Sequence, residues 1–197
     1  MNALKLFVLF LILGVTAGNS FAQNRSKAFA ESSVTWYGVD YSLVKFTLIT
    51  ESTQLIVSNY LPSINAVIVQ EQDKYNIRKY FNKFNVTIEL DNVNANNQKI
   101  DPVQLAITNS SSITQDDVKK LVKSYKTAGK TGMGLVFVAE NMNKSTSIGS
   151  FYIVFFDLAT KEIVDSQRMV GKAAGVGFRN YWAGAIVGAM KAWAAQK

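Results

Sequence analysis

The chain contains no cysteine and no histidine among its 197 residues. Thiolate nucleophiles, serine–histidine pairs and zinc sites built from nitrogen and sulfur ligands are therefore excluded. Disulfide bonds are excluded as well, so packing alone must hold the fold together. We expect no metal site and no cofactor, and we assign no catalytic residue.

Proline is also scarce, since it occurs only at Pro62 and Pro102. Charged residues make up 18% of the chain, whereas hydrophobic residues make up 48%. This composition supplies enough apolar material for a core and argues against global disorder. A chain of this length corresponds to one domain.

The amino terminus has the three parts of a secretory signal peptide. Lys5 supplies a positive charge, Leu6–Val15 is apolar apart from one glycine, and Ser20-Phe21-Ala22 places small residues at the positions that a signal peptidase reads. The apolar run is shorter than the roughly 20 residues that span a bilayer. No cysteine follows it as a lipid anchor.

We therefore predict a signal peptide over residues 1–22, a flexible mature amino terminus over residues 23–33 and a single α/β domain over residues 34–197. The predicted location is periplasmic or extracellular, with no stable membrane span after cleavage. Cleavage removes one of the 21 lysine and arginine residues, against 14 aspartates and glutamates, so the mature surface is basic. Nucleic acid is not an expected partner of an exported protein. The expected partner is an envelope protein or a small anionic ligand.

Periodicity along the chain predicts a mixed β-sheet of about five strands with helices packed on it, in the order β-α-β-α-β-β-β-α. The Asn- and Ser-rich segment 91–113 is predicted to be a loop. Strands are predicted at 34–48 (as one strand or as two pieces broken near 40–42), 84–90, 134–140, 149–157 and 163–170, and helices within 53–82, from Thr114 onward and over 178–195. The strands 134–140 and 149–157 are expected side by side in the middle of the sheet, with the last helix laid across them.

Residues 132–171 combine a glycine, a strand apolar on both faces, a polar loop, a second such strand ending at Asp157, and the turn Thr160-Lys161-Glu162. This stretch resembles the small α/β domains of bacterial envelope-assembly proteins, of the type found in the curli-secretion lipoprotein and the amino-terminal domain of the Tol-system translocation protein. In that family a Thr-Gly-Glu-like turn follows the strand, and Lys161 stands here in place of the glycine. The resemblance implies a binding or assembly role and brings no catalytic residues.

A serine hydrolase is one alternative. Ser42-Leu43-Val44-Lys45 matches the S-x-x-K motif of penicillin-recognising enzymes, and S-x-N and K-T-G matches follow it in the same order. That chemistry requires the serine at a helix start and the lysine one turn later. Ser42 instead lies in a strand-like segment, where residues three apart face opposite sides.

A glycine-rich loop before the last helix is the other candidate site. Gly175-x-Gly177-x-x-Asn180 is an incomplete dinucleotide fingerprint, because its third position is not glycine and no second βαβ half follows. Free N–H groups at the helix start, together with Arg179, favour a phosphate or a carboxylate. We predict Gly175, Gly177, Arg179 and Asn180 as ligand-binding residues. The alternative is a flexible turn that lets the helix pack.

Acidic and aromatic residues leave two weaker alternatives. Asp40, Glu140, Asp157 and Asp165 lie nearest the strands, but their spacing does not make two of them neighbours, as a glycosidase requires. Six aromatic residues either pack in the core or form a sugar-stacking surface; they are Trp36, Tyr37, Tyr41, Tyr181, Trp182 and Trp193. The sequence as a whole favours an exported, non-catalytic protein of the cell envelope with a binding or assembly role.

Overall fold

The computed structural model describes residues 26–196. The predicted signal peptide lies outside the described residues. Residues 26–30, within the segment predicted to be flexible, form a helical turn whose Ala28 is buried. The Lys83 ammonium fixes this turn by donating hydrogen bonds to the carbonyl oxygens of Ala28 and Glu31, at 2.5 and 2.6 Å.

The described chain forms a mixed α/β fold, as predicted. Its strands are β1 (Ser33–Asp40), β2 (Lys45–Thr47), β3 (Asn85–Ile88), β4 (Ala106–Ile107), β5 (Met133–Asn143), β6 (Ile148–Asp157) and β7 (Ile163–Lys172). Its main helices are α1 (Leu61–Gln70), α2 (Ile77–Phe81), α3 (Asp91–Asn97), α4 (Gln115–Lys123) and α5 (Phe178–Ala194). A short helical turn (Thr53–Leu55) and a π-helical segment (Ile56–Tyr60) lead into α1, and a 3₁₀ turn (Pro102–Gln104) precedes β4.

All seven strands join one sheet with β5 at its centre. On one side of β5, β6 and then β7 pair antiparallel. On the other side, β1 runs parallel to the first half of β5, and β2 runs parallel to its second half. Strand β3 pairs with the outer side of β1, and β4 pairs with the outer side of β2. The prediction that the two strands apolar on both faces, β5 and β6, lie side by side in the middle of the sheet is confirmed. The sheet has seven strands instead of about five because β2 and β4 are too short to show a period in the sequence.

An irregularity inside β1 interrupts its regular pairing with β5. Gly38 has φ 93°, and the register of β1 on β5 shifts at this point. Two buried asparagines bond the backbone groups that the irregularity leaves free. Asn65 of α1 bonds both the N–H and the C=O of Val39 at 2.9 Å, and Asn97 of α3 accepts from the Tyr41 N–H at 2.7 Å.

The first face of the sheet carries the larger core, and α1, α2 and α5 cover it. Trp193 of α5 lies at its centre, with ring centroids 4.8 Å from Phe29, 4.6 Å from Phe81 and 5.6 Å from Phe155. Aromatic pairs at these distances add to the free energy gained by burying apolar area. Helix α5 packs on β7 and β6, so it lies nearer the antiparallel edge of the sheet than the predicted place across β5 and β6.

The second face carries a smaller core beneath α3 and α4. Three aromatic rings meet there. The ring centroid of Tyr37 lies 5.8 Å from that of Tyr125 and 5.6 Å from that of Phe156, and the centroids of Tyr125 and Phe156 are 5.9 Å apart. Helix α4 begins as predicted, with a reciprocal capping box between Thr114 and Asp117. Its buried side chains, Val118 and Val122, complete this core.

The loop prediction for residues 91–113 is wrong over Asp91–Asn97, which forms α3. Asparagine disfavours helices because its side chain competes for backbone groups. Tertiary contacts outweigh this preference here, since Val93 is fully buried and the Asn96 and Asn97 side chains bond to the end of β1 and the residue after it.

Candidate functional site

The four predicted ligand-binding residues lie together at the start of α5. Gly177 precedes the helix with φ 77° and provides no side-chain cap. Arg179 is exposed, and its Nε donates to the Asn180 side-chain oxygen at 3.0 Å. A helix start alone does not define a site, so anion binding by Gly175, Gly177, Arg179 and Asn180 stays a prediction.

Close packing gives the glycines around this loop a second explanation. A Cβ atom on Gly175 would lie 2.8 Å from the carbonyl oxygen of Asn180, and one on Gly184 would overlap the carbonyl oxygen of Ala174. Glycine is therefore required where the loop approaches the backbone of α5. This is the packing role that the sequence left open as the alternative.

The structure gives Ser42 and Lys45 different partners. The Ser42 hydroxyl donates to the Asp40 carboxylate at 2.6 Å, whereas the Lys45 ammonium donates to the carbonyl oxygen of Gln104 at 2.5 Å. A serine nucleophile needs a base within hydrogen-bond reach of its hydroxyl. Asp40, not Lys45, is the group within that reach.

Asp40 is fully buried at the end of β1 and accepts four hydrogen bonds. One carboxylate oxygen accepts from the backbone N–H and the hydroxyl of Ser42, at 2.9 and 2.6 Å. The other accepts from the Asn96 amide at 3.0 Å and the Tyr125 hydroxyl at 2.8 Å. Burial, and then the nearby Asp40 charge, raise the pKa of Tyr125 well above its usual value, so this hydroxyl stays a donor. The Asp40 carboxylate therefore ties β1 to α3 and to the segment after α4.

Glu140 of β5 is the second fully buried carboxylate. It pairs with Arg168 of β7 at 2.6 Å and accepts from the backbone N–H of Ile113 at 3.4 Å. The neighbouring Tyr152 donates its hydroxyl to the Ile113 carbonyl at 3.2 Å. Burial and then the Glu140 charge raise the pKa of Tyr152. These contacts hold the segment before α4 on the second face.

Acidic clusters and exposed aromatic surfaces do not supply a site in the described part of the chain. Over residues 26–196, no three Asp or Glu side chains group so as to hold a metal ion. Five of the six aromatic residues that could have formed a sugar-stacking surface are buried, and Tyr181 is partly buried. They are used in packing.

A cavity of about 430 Å³ opens at the free edge of the sheet, where β3 has β1 as its one strand partner among the described residues. We call it the β3-edge cavity. Its ten lining residues come from β1, β3, α1, α2 and the loop that joins the two helices. They are Trp36, Ile68, Gln72, Asp73, Tyr75, Asn76, Ile77, Arg78, Val86 and Ile88.

Polar groups at two depths distinguish this cavity. The exposed residues Gln72, Asp73 and Arg78 form its rim, and no ion pair involves Asp73 or Arg78 among the contacts of residues 26–196. Trp36 and Tyr75 also line the cavity, and within residues 26–196 the indole N–H of Trp36 and the hydroxyl of Tyr75 are buried without a hydrogen-bond partner. Each such group costs roughly 1–3 kcal/mol when it is left unpaired.

Sequence reasoning missed the β3-edge cavity. Its rim lies inside the segment 53–82, which the sequence predicts as one helical region. The signal that marks it is the helix break after Gln70, followed by Asn76, whose side chain accepts from the Lys79 N–H at 2.8 Å and starts α2.

No helix in the described residues is long and apolar enough to cross a membrane. Comparison of the chain with protein-family models, with curated proteins and with solved structures found no match.

Proposed function

We propose that this protein is an exported, non-catalytic protein of the cell envelope that works by binding. The three-part pattern of residues 1–22 supports export, to the periplasm or the extracellular space. The absence of cysteine and histidine from the whole sequence removes the commonest nucleophiles and bases. The resemblance of residues 132–171 to envelope-assembly domains supports a binding or assembly role.

The hydrogen bonds of the polar groups that could have been catalytic support a non-catalytic role. Ser42 is bonded to Asp40, Lys45 to a backbone carbonyl, and Glu140 to Arg168. Each of these groups therefore holds a strand or loop in place.

The observation that carries the proposal is the β3-edge cavity. Asp73 and Arg78 at its rim lack ion-pair partners in the described chain, whereas the carboxylates of the second face are fully bonded. Concave sites in which polar groups without partners lie beside apolar side chains are typical of ligand binding.

Export and binding are tested together on the full-length protein expressed in a bacterial host with an envelope. We expect the mature chain in the envelope or external fraction, beginning at Gln23, and retention of the Leu9→Arg variant as precursor. The purified mature protein is then screened by thermal unfolding against amino acids and short peptides, sugars and phosphate. At least one class should raise the midpoint.

Two outcomes would overturn the proposal. The first is a chain that keeps Met1 and remains in the cytoplasm. The second is covalent labelling by a serine-directed acylating probe that is lost in Ser42→Ala and Lys45→Ala, which would favour the hydrolase alternative. Stabilisation by phosphate that is lost in Arg179→Ala would keep the binding role but place it at Gly175–Asn180.

A further inference from the structure

The β3-edge cavity has the size of a site for a small molecule. Ligand pockets in proteins commonly enclose about 300–1,000 Å³, and this one measures about 430 Å³. Ile68, Ile77, Val86 and Ile88 form the apolar part of a lining that is otherwise polar. An aliphatic or aromatic side chain of a ligand gains free energy by burial there.

The rim offers one charge of each sign. Asp73 and Arg78 both line the opening and are both exposed, and neither forms an ion pair within residues 26–196. The adjacent charges of the same loop, Glu71 and Lys74, are paired with each other at 3.9 Å. Asp73 and Arg78 are therefore the rim charges available to a ligand that carries both an ammonium and a carboxylate group.

The loop that carries these charges has a fixed backbone. The N–H groups of Lys74 and Tyr75 both donate to the carbonyl oxygen of Glu71 at 3.0 Å. Asn76 caps α2 directly after them. A preordered rim reduces the entropy lost when a ligand binds.

The two rim charges match the two ends of such a ligand. A guanidinium favours a carboxylate, and a carboxylate accepts hydrogen bonds from an ammonium group. Trp36 and Tyr75 also line the cavity, but the indole N–H of one and the hydroxyl of the other are buried and are not reached from it.

Resting on the proposed binding function, we propose that the β3-edge cavity binds a zwitterionic molecule of the amino-acid class with an apolar side chain, either free or as a short peptide. Arg78 takes its carboxylate, Asp73 takes its ammonium group, and the apolar part of the lining takes its side chain. A simple anion is disfavoured by Asp73, and a simple cation by Arg78.

Titration calorimetry on the mature protein tests this assignment with leucine, phenylalanine and the dipeptide Leu-Leu. We expect at least one of them to bind. Three analogues each lack one group of leucine: 4-methylpentanoate lacks the ammonium group, isoamylamine lacks the carboxylate, and glycine lacks the side chain. Each should bind at least about tenfold more weakly than leucine. Tighter binding of Leu-Leu than of leucine identifies a peptide ligand, and the reverse order identifies a free amino acid.

Variants at the rim locate the binding. Asp73→Ala and Arg78→Ala should each weaken it about tenfold or more, whereas Lys79→Ala and Asp101→Ala, exposed changes outside the cavity lining, should leave it unchanged. Tyr75→Phe removes a buried hydroxyl that the cavity does not reach, so it should leave binding unchanged and the unfolding midpoint equal to or above that of the parent protein.

The assignment fails if neither amino acids nor Leu-Leu bind at millimolar concentration, or if their binding is unaffected by Asp73→Ala and Arg78→Ala. Stabilisation by a sugar or by phosphate in place of amino acids would overturn this ligand class and leave the proposed binding function standing. Labelling and turnover at Ser42 would instead overturn the proposed function itself.

Discussion

Helix α5 on the first face and helix α4 on the second face are attached to the same antiparallel strands by different forces. Helix α5 meets β7 backbone to backbone: a Cβ atom on Gly171 would overlap the carbonyl oxygen of Ala185. Helix α4 packs through two valines, and polar contacts hold its carboxyl end. Lys123 forms an ion pair with Glu162 and donates to the Thr160 carbonyl.

The buried carboxylates distinguish the two faces. Asp40 and Glu140 both lie on the second face, and both have hydrogen-bonded partners. Within residues 26–196, each face also has a buried phenol whose hydroxyl has no partner, Tyr41 on the first face and Tyr37 on the second. The second face therefore depends on buried charges whose hydrogen bonds a single substitution can leave unpaired, whereas the first face depends more on shape and apolar area.

The largest effect is expected where α5 approaches β7. Gly171→Ala forces the helix off the strand, because the new Cβ meets backbone atoms that no rotamer can move. We expect a loss of about 3 kcal/mol or more in the free energy of unfolding, measured by urea denaturation. Lys172→Ala, an exposed change at the next residue, is the matched control and should cost little. A tolerated Gly171→Ala would show that the close approach is not required.

The second effect separates the two faces by their polar groups. Asp40→Ala leaves four donors without their acceptor, so we expect a loss of about 3 kcal/mol in urea denaturation. Asp101→Ala removes an exposed carboxylate that accepts one backbone bond and should cost less than about 1 kcal/mol. Equal losses in the two variants would contradict the role given to the buried carboxylate.

The third effect is a loss of folding stability at high pH. Burial raises the pKa values of Tyr41 and Tyr125 well above the usual value, near 10, that they have in the unfolded chain. The unfolded chain therefore loses these protons first, and the free energy of unfolding falls as the pH rises above about 10.

Two variants assign this loss to the two faces. At pH 8, Tyr125→Phe should be less stable than the parent protein by about 1–2 kcal/mol, because it removes the bond to Asp40, whereas Tyr41→Phe should be as stable or more so. Between pH 9 and pH 11, each variant should gain about 1.4 kcal/mol relative to the parent. Urea denaturation across this range measures both differences, and parallel curves would refute the raised pKa values.

The smallest effect concerns the turn beside α4. Lys161, which stands where the resembled family has glycine, has φ 60°, a conformation that costs most residues about 1 kcal/mol. Its ammonium also donates to the Lys123 carbonyl at 3.1 Å. Lys161→Ala should lose that bond and keep the strain, whereas Lys161→Gly should be more stable than Lys161→Ala by about 0.5–1 kcal/mol in urea denaturation. The opposite order would show that the backbone here is unstrained.

Much of the fold could be predicted from the sequence because its signals are local. The strands around Val136 and Val154 are apolar on both faces, which is the pattern of a covered central strand. The start of α4 could be predicted from Thr114 and the acidic residues that follow it. Helix α3 could not, because it depends on burial of Val93 and on asparagine bonds to residues more than 50 positions away.

The candidate site shows the same division. The start of α5 could be located from its glycines, which occur together in the sequence. The β3-edge cavity could not, because its walls combine Trp36 with residues from 68 to 88 and exist only through the pairing of β1 with β3.

The sequence by itself determined which chemistries are excluded, because the absence of cysteine and histidine is a property of composition. It also determined the kinds and order of the longer strands and helices, because their hydrophobic periods are local. Only the tertiary structure decided that Asp40 is bonded by Asn96 and Tyr125, and that Asp73 and Arg78 lie beside a cavity without an ion-pair partner in residues 26–196. These relations depend on strand register and helix packing, which bring distant residues together and leave no local period in the chain.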